Sequence, residues 1–268
     1  MHVQQLLAAT ALAALAAQPS LAEPLRAHEA VYELKLAEPT DQISAVDARI
    51  ALQLTRKDCD TFALDYRFVA RFHQEDEITV TDQGTRTQER LDGSVLAFDT
   101  QTLVDGTAQE RVEGEAKNDA GATKVQYKEP VQREASIPLA SFPLQHTARL
   151  IARARAGDRI VEAKLFDGDA EAEKGLTTTS VITSSNGPPT PAIAESVRGL
   201  KSWLVTESYF NADSDDDGQP IFETRYRLFE NGVSDELTMN FGAYTLEGRL
   251  SRLSYLDPAE CPPSTGEH

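Results

Sequence analysis

A mainly β fold, an antiparallel meander interrupted by one convincing helix, is what this 268-residue sequence predicts. Three observations carry the expectation. In TFALDYRFVA the side chains of Phe62, Leu64, Tyr66 and Phe68 share one face while Thr61, Asp65 and Arg67 share the other, the period of two expected of a half-buried strand. Asp-Gly or Asn-Gly pairs start at 92, 105, 167, 186, 217 and 231, and these dipeptides accept the positive φ of tight hairpin turns. Helical spacing of apolar residues is strong in one stretch only.

Taken in order, the chain opens on MHVQQLLAATALAALAAQPSLA, where Leu6 to Ala17 consists of Leu, Ala and one Thr. Ser20-Leu21-Ala22 follows with the small-x-small form of a signal-peptidase site. The apolar run is too short to cross a bilayer, which takes about 20 residues. An export signal cut after Ala22 is therefore expected, leaving a soluble periplasmic chain whose first residue, Glu23, is not the Cys of a lipoprotein. Next, Tyr32, Leu34 and Leu36 alternate with Glu33 and Lys35, and Ile50, Leu52 and Leu54 with Gln53 and Thr55. Both runs read as strands.

The helix is predicted in SFPLQHTARLIARARAGD, residues 143–156, with Ser141 as cap, Pro143 near the first position and Gly157 at its end. Its apolar face reads as Leu144, Thr147, Ala148, Ile151 and Ala154, and Arg149, Arg153 and Arg155 lie toward the C-terminal end, where cations favour the helix dipole. A weaker second helix is expected at PAIAESVRGL, after the loop SSNGPPTP. Turn-rich sequence continues on both sides of that loop, so residues 23–268 are expected to form a single domain. In the last third Phe222, Tyr226 and Leu228 alternate with Glu223, Arg225 and Arg227.

Composition narrows the function classes. With 43 acidic and 26 basic residues the formal charge is −17 and the pI about 4.7, which disfavours nucleic acid and anionic membrane surfaces as partners. The histidines of the mature chain, His28, His73, His146 and His268, fall in no HxH, HExxH or Cys/His spacing. Neither a G-x-S-x-G elbow nor a glycine-rich phosphate loop occurs. No catalytic residue, metal ligand or cofactor is assigned.

One string does look like a metal loop. In NADSDDDGQP, Asp213, Asp215 and Asp217 alternate ahead of Gly218, as at the opening of an EF-hand. Counted from Asp213, however, the twelfth place is Thr224, with Glu223 one short, and the flanks WLVTESYF and IFETRYRLF are strand-like. A solvated hairpin tip is expected, with weak calcium binding as the alternative.

Cys59 and Cys261 are the two cysteines of the chain. An even pair in an exported protein is expected to be bonded, and neither lies in a CxxC arrangement that would suggest redox chemistry. A bridge closing about 200 residues stabilises by about 5 kcal/mol on the loop-entropy model.

Several stretches, in this order, resemble the EipB-like cell-envelope integrity proteins of α-proteobacteria. They are AHEAVYELKL, CDTFALDYRFV, FPLQHTARLIARARAGDRIVEAKLFDGD, SYF and RYRLFENGVSDELTMNFGAYTLEGRLSRLSYL, closed by Cys261, and they span nearly the whole mature chain. Two short strings, AHEA and FGAY, depart from the family's usual pattern. The resemblance implies an exported, non-enzymatic β-spiral, an incomplete barrel of many antiparallel strands with a helix inside its curve. It also implies a disulfide between Cys59 and Cys261, and a role in envelope integrity through contact with other periplasmic proteins, a tetratricopeptide-repeat protein among them. The implied fold is similar to that of the lipoprotein carriers LolA and LolB. A carrier of a lipid or other apolar ligand is thus a second reading, and a hydrolase without a recognisable motif a third. The helix face discriminates: if Leu144, Ala148 and Ile151 pack fully against side chains such as Phe62 and Tyr66, no carrier cavity remains.

Overall fold

Short reversals set the architecture. The computed structural model describes residues 25–185, 187–214 and 218–257. Its N-terminal strands are β1 (His28–Leu36), β2 (Ala45–Arg56), β3 (Thr61–His73), β4 (Ile78–Arg90), β5 (Val95–Val104), β6 (Thr107–Asp119), β7 (Ala122–Glu129) and β8 (Arg133–Pro138). Helix α1 (Pro143–Ala156) comes next, then β9 (Ile160–Leu165), β10 (Leu176–Ser184), β11 (Ser202–Phe210), β12 (Phe222–Phe229), β13 (Ser234–Asn240) and β14 (Thr245–Tyr255). Each strand pairs antiparallel with its neighbour in sequence within the two runs β1–β8 and β9–β14. The two meanders join where β1 pairs β14, from His28 opposite Tyr255 to Leu36 opposite Leu246, giving one 14-stranded sheet with β8 and β9 at its edges.

The alternation of residue types translates directly into two faces. Tyr32, Leu34, Ile50 and Leu54 are buried on the inner face, whereas Glu33, Lys35, Ala51 and Gln53 are exposed on the outer one. At the β5–β6 turn both Asp105 and Gly106 have positive φ, 51° and 76°, the conformation of a two-residue hairpin whose twist matches its strands. Outer-face charges pair across strands, as Arg67 does with Asp82 and Arg111 with Asp99.

A twisted sheet of this width curls toward closure. Register shifts in β1, β12, and the β5–β6 and β6–β7 pairs add local bends. The edges meet where Ser141 forms a parallel bridge with Leu165, its N–H donating to the Lys164 carbonyl at 2.8 Å and its carbonyl accepting from Phe166 at 3.1 Å. Residues 166–175 then cover the remaining seam. Arg133 pairs with Glu173 and donates to the Ala170 carbonyl, the Tyr127 hydroxyl donates to the Asp169 carbonyl at 2.6 Å, and Phe166 packs edge-on against Phe98. The result is the antiparallel meander with one main helix that the residue pattern predicts, curled into the incomplete, spiral barrel that the family resemblance implies.

Helix α1 links the two sheet edges and runs through the interior. Pro143 begins it and Gly157, at φ 87°, ends it, with Arg153 and Arg155 in the last turn. The cap is not Ser141. Phe142 holds the N-cap position without a side-chain bond, and the exposed amides are met from 55 residues away by Glu89, whose carboxylate accepts the N–H groups of Leu144 at 2.9 Å and Gln145 at 2.7 Å. The buried face is also rotated from the expected one. It consists of His146, Leu150, Ile151 and Ala154, with Leu144, Thr147 and Ala148 half-buried, because the helix is enclosed from two sides and Leu150 meets the strands that Thr147 does not.

The second expected helix is only a 3₁₀ turn, Pro191–Ile193, followed by further turns. The stretch between Pro191 and Gly199 is too short to sustain a helix by propensity. It is instead fastened at its ends, Thr190 N–H to Asp235 at 3.1 Å and Lys201 N–H to Glu230 at 3.1 Å, and by burial of Ile193 and Val197. Arg227 departs from expectation too. It lies on the outward face but is only 5% exposed, because Glu236 grips its guanidinium at 3.0 Å and the Gly187 carbonyl accepts from it at 2.8 Å.

Candidate ligand site in the barrel interior

The helix fills only part of the interior. Leu150 and Ile151, fully buried, pack in one cluster with Leu54, Phe62, Val161, Ile182, Val205 and Leu228. Tyr66 belongs to a different cluster and is half-buried, as are Phe68, Phe72, Leu237, Met239, Phe241 and Tyr244. Of the three helix residues named as discriminating, then, only Ile151 is completely packed. From that cluster, which Ile193 and Val197 also enter, runs a continuous aromatic row: Phe72 to Tyr244 at 5.4 Å between centroids, Tyr244 to Phe241 at 4.9 Å, Phe241 to Phe222 at 5.0 Å and Phe222 to Tyr209 at 5.5 Å. At one end of the β4–β5 pair the inward positions are polar, with Gln83, Thr85, Thr100 and Thr102 half-buried.

Where the row ends at Tyr209, a buried polar cluster begins. Glu207, 3% exposed, accepts from four groups: His146 Nε2 at 2.8 Å, Ser180 Oγ at 2.8 Å, Tyr226 at 2.7 Å and Tyr209 at 3.2 Å. Burial alone would raise the Glu207 carboxyl. The bond and charge of His146, joined by the Tyr226 and Ser180 hydroxyls, outweigh it and hold the group below the usual carboxylate range. Burial first, and the Glu207 charge second, push the Tyr226 and Tyr209 hydroxyls well up. Ser, His and Glu meet here, but in the wrong order for nucleophilic catalysis. Ser180 donates to the carboxylate and not to the imidazole, so the serine–imidazole pairing of a catalytic triad is not formed. Thr178 Oγ1 and His146 Nδ1 are buried without a hydrogen-bond partner among the described residues.

A second buried carboxylate, Glu89, touches the other side of the helix start. Desolvation raises it to about 7, against the two backbone amides that hold it down. Neither Glu89 nor Glu207 stands out from composition in a chain of 43 acidic residues. The alternation does point to Glu207: in WLVTESYF the inward set is Trp203, Val205, Glu207 and Tyr209, and it contains a single charge.

The other residues singled out from the sequence lie elsewhere. Cys59 sits in the β2–β3 connection, and Cys261 lies outside the described residues. Asp213 is bound to Lys174 at 2.6 Å, and Asp215 and Asp217 lie outside the described residues. The flanks of that loop are paired strands, Tyr209 opposite Phe222, as a hairpin requires. No group of three or more metal-ligating side chains occurs among the described residues. His28 is buried against the Arg26 carbonyl at 2.7 Å, His73 is half-buried, and His268 lies outside the described residues.

Comparison with known proteins fits this architecture. The EipB-like family profile matches residues 19–257. The chain belongs to the EipB-like family. It is similar to the cell envelope integrity protein EipB of Brucella abortus (strain 2308), with 31% identity over 247 residues, 90% of this chain and 88% of that protein. It is also similar to the crystal structure of a β-barrel-like protein of a domain of unknown function from Brucella abortus, with a TM-score of 0.80 and 30% identity, covering 87% of this chain and 99% of the other. Membership in the EipB-like family accounts for the stretches of resemblance together, since the matched span runs from before β1 to the end of β14.

Proposed function

We propose that the protein serves cell-envelope integrity in the periplasm, without catalysis, by contact with other envelope proteins. The observation that carries this reading is the family match across the whole described sheet, to a family whose Brucella abortus member is named for envelope integrity. The arrangement at Glu207 fits the non-enzymatic part, since its serine bonds the carboxylate and not the imidazole. The signal pattern ending at Ala22 supports export, and a tetratricopeptide-repeat protein is the partner the family resemblance implies. A Cys59–Cys261 bridge belongs to the same reading. His28 lies between Leu54 of β2 and Tyr255 of β14, so the chain leaves β14 beside the end of β2 that leads to Cys59.

Deleting the gene in the native host and measuring sensitivity to detergent and cell-wall antibiotics tests the proposal. The full chain should restore resistance and a version lacking residues 1–22 should not; rescue by the version without the signal would overturn the periplasmic reading. A specific observation also favours a second function, carriage of an apolar ligand. Phe72, Phe241 and Tyr244 of the aromatic row are only half-buried, and in a carrier that row would be the binding surface. Native mass spectrometry of gently purified protein should then show a lipid-sized mass, and a clean protein mass would count against it.

A further inference from the structure

The connection from β10 to β11, together with the ends of those strands and of β12, borders a cavity of about 530 Å³, within the range of small-molecule sites. Its chemistry is one-sided. In a chain of 43 acidic and 26 basic residues, the lining contains Arg198, Lys201 and Arg227 but no acid. The hydroxyls of Ser184, Ser185 and Ser202 join them. All of these groups donate hydrogen bonds, and none is an acceptor only. A lining made of donors is complementary to an anion.

Part of this donor set is engaged. Arg198 pairs with Glu195 and Arg227 with Glu236, neither of which lines the cavity. The Lys201 ammonium and the three serine hydroxyls have no hydrogen-bond or ion-pair partner among the described residues. Glu230 is turned instead to the Lys201 backbone N–H at 3.1 Å and to Arg155 at 3.3 Å. Arg227 supplies an independent observation. Its side chain is only 6% exposed; Nε and Nη2 donate to Glu236, and Nη1 donates to the Gly187 carbonyl at 2.8 Å. Nη1 carries two N–H groups, and the second has no acceptor among the described residues. A buried, charged donor is costly to leave unmatched, and an acceptor entering the cavity removes that cost. Apolar surface completes the lining: Val197 and Phe229 are buried and Trp203 is half-buried.

We infer that this cavity binds a small, soluble phosphate monoester with an aromatic or other apolar group. Its phosphate takes the Lys201 ammonium, the second Arg227 Nη1 N–H and the serine hydroxyls, and its apolar group lies against Trp203, Val197 and Phe229. A phosphate monoester brings three acceptor oxygens to this donor set where a carboxylate brings two. The monoester is a soluble one because a net charge of −17 opposes approach to an anionic bilayer. No ring of the aromatic row lines this cavity, so binding here is independent of a carrier function.

Trp203 is the single tryptophan of the chain, and its fluorescence therefore reports on this cavity. Titrating the mature chain with phenyl phosphate should change the emission saturably, with a matching heat of binding in calorimetry. Inorganic phosphate should bind about tenfold or more weakly, and benzyl alcohol, an uncharged ring, should not bind. Lys201 is exposed, so Lys201→Ala should keep the fold and weaken phenyl phosphate about tenfold, and Lys201→Arg should retain most of the affinity. Absence of saturable binding, benzyl alcohol or inorganic phosphate binding as tightly as phenyl phosphate, or an unchanged affinity in folded Lys201→Ala would overturn the inference. So would a change in Trp203 emission with phosphatidic acid vesicles and none with phenyl phosphate.

Discussion

Where helix α1 lies, Leu150 and Ile151 have no exposed surface; on the same inner face Phe72, Phe241 and Tyr244 are only half-buried. Both regions are built from alternating strands of similar length. What separates them is the filler. The helix brings a long apolar face to the strands it meets, whereas the strands around Phe72, Phe241 and Tyr244 are met by the short 191–200 segment, through Ile193 and Val197. Half-buried aromatic rings stabilise less than fully buried side chains of the same size. The comparison therefore places the more complete burial where the helix meets the strands.

The largest effect expected is at the filled region's margin. If Cys59 and Cys261 are bridged, reduction should lower stability by up to about 5 kcal/mol, read as a fall in the urea midpoint, and peptide mapping without reductant should join the two peptides. Two thiols alkylated in the native protein would remove the bridge from the account.

Next in size, Leu150→Ala should cost about 2–5 kcal/mol, whereas Phe241→Leu on the open wall should cost under about 1 kcal/mol. Equal shifts of the two unfolding midpoints would abolish the distinction between the regions.

A pH series sharpens it further. Folded Glu89 keeps its proton to about pH 7, whereas the ordinary glutamate value is 4.5. Folding thus takes up a proton between these values, and the Glu89 contribution to stability, complete below pH 4.5, is lost as pH rises toward 7. The stability difference between the unaltered chain and Glu89→Gln should shrink over that window and stay level above it. A difference independent of pH would place the Glu89 titration at its ordinary value. The smallest effect belongs to the surface: Lys174→Ala, which releases the exposed Glu171 and Asp213, should change stability by under about 1 kcal/mol, and a loss as large as that of Leu150→Ala would show that the seam segment is part of the core.

Much of this architecture was legible in local pattern, because strands and tight turns are decided over a few residues. The two faces of β1, β2 and β3 follow from their alternation, and the turns at Asp92, Asp105 and Asn231 from their dipeptides. Contacts between distant strands were not. Glu89 meets the helix start across 55 residues and His146 meets Glu207 across 61, distances at which pairing depends on the sum of every intervening register. The rotation of the helix face from Thr147 to Leu150 is of the same kind, since it depends on which wall the helix meets. The outward face of Arg227 was legible but its burial was not, because a bulge, not its own pattern, brings Glu236 over it.

The pairing of β1 with β14 has a consequence for how the chain is made. Val31 accepts a hydrogen bond from Ser251, 220 positions later, so the first strand to be synthesised waits for the last. Until then β1 is an unprotected edge, able to recruit any extended segment it encounters. Contacts of such sequence separation form slowly, and a copy that stops short of β14 keeps that edge for good, exposed to the strand-to-strand association that traps incomplete β proteins.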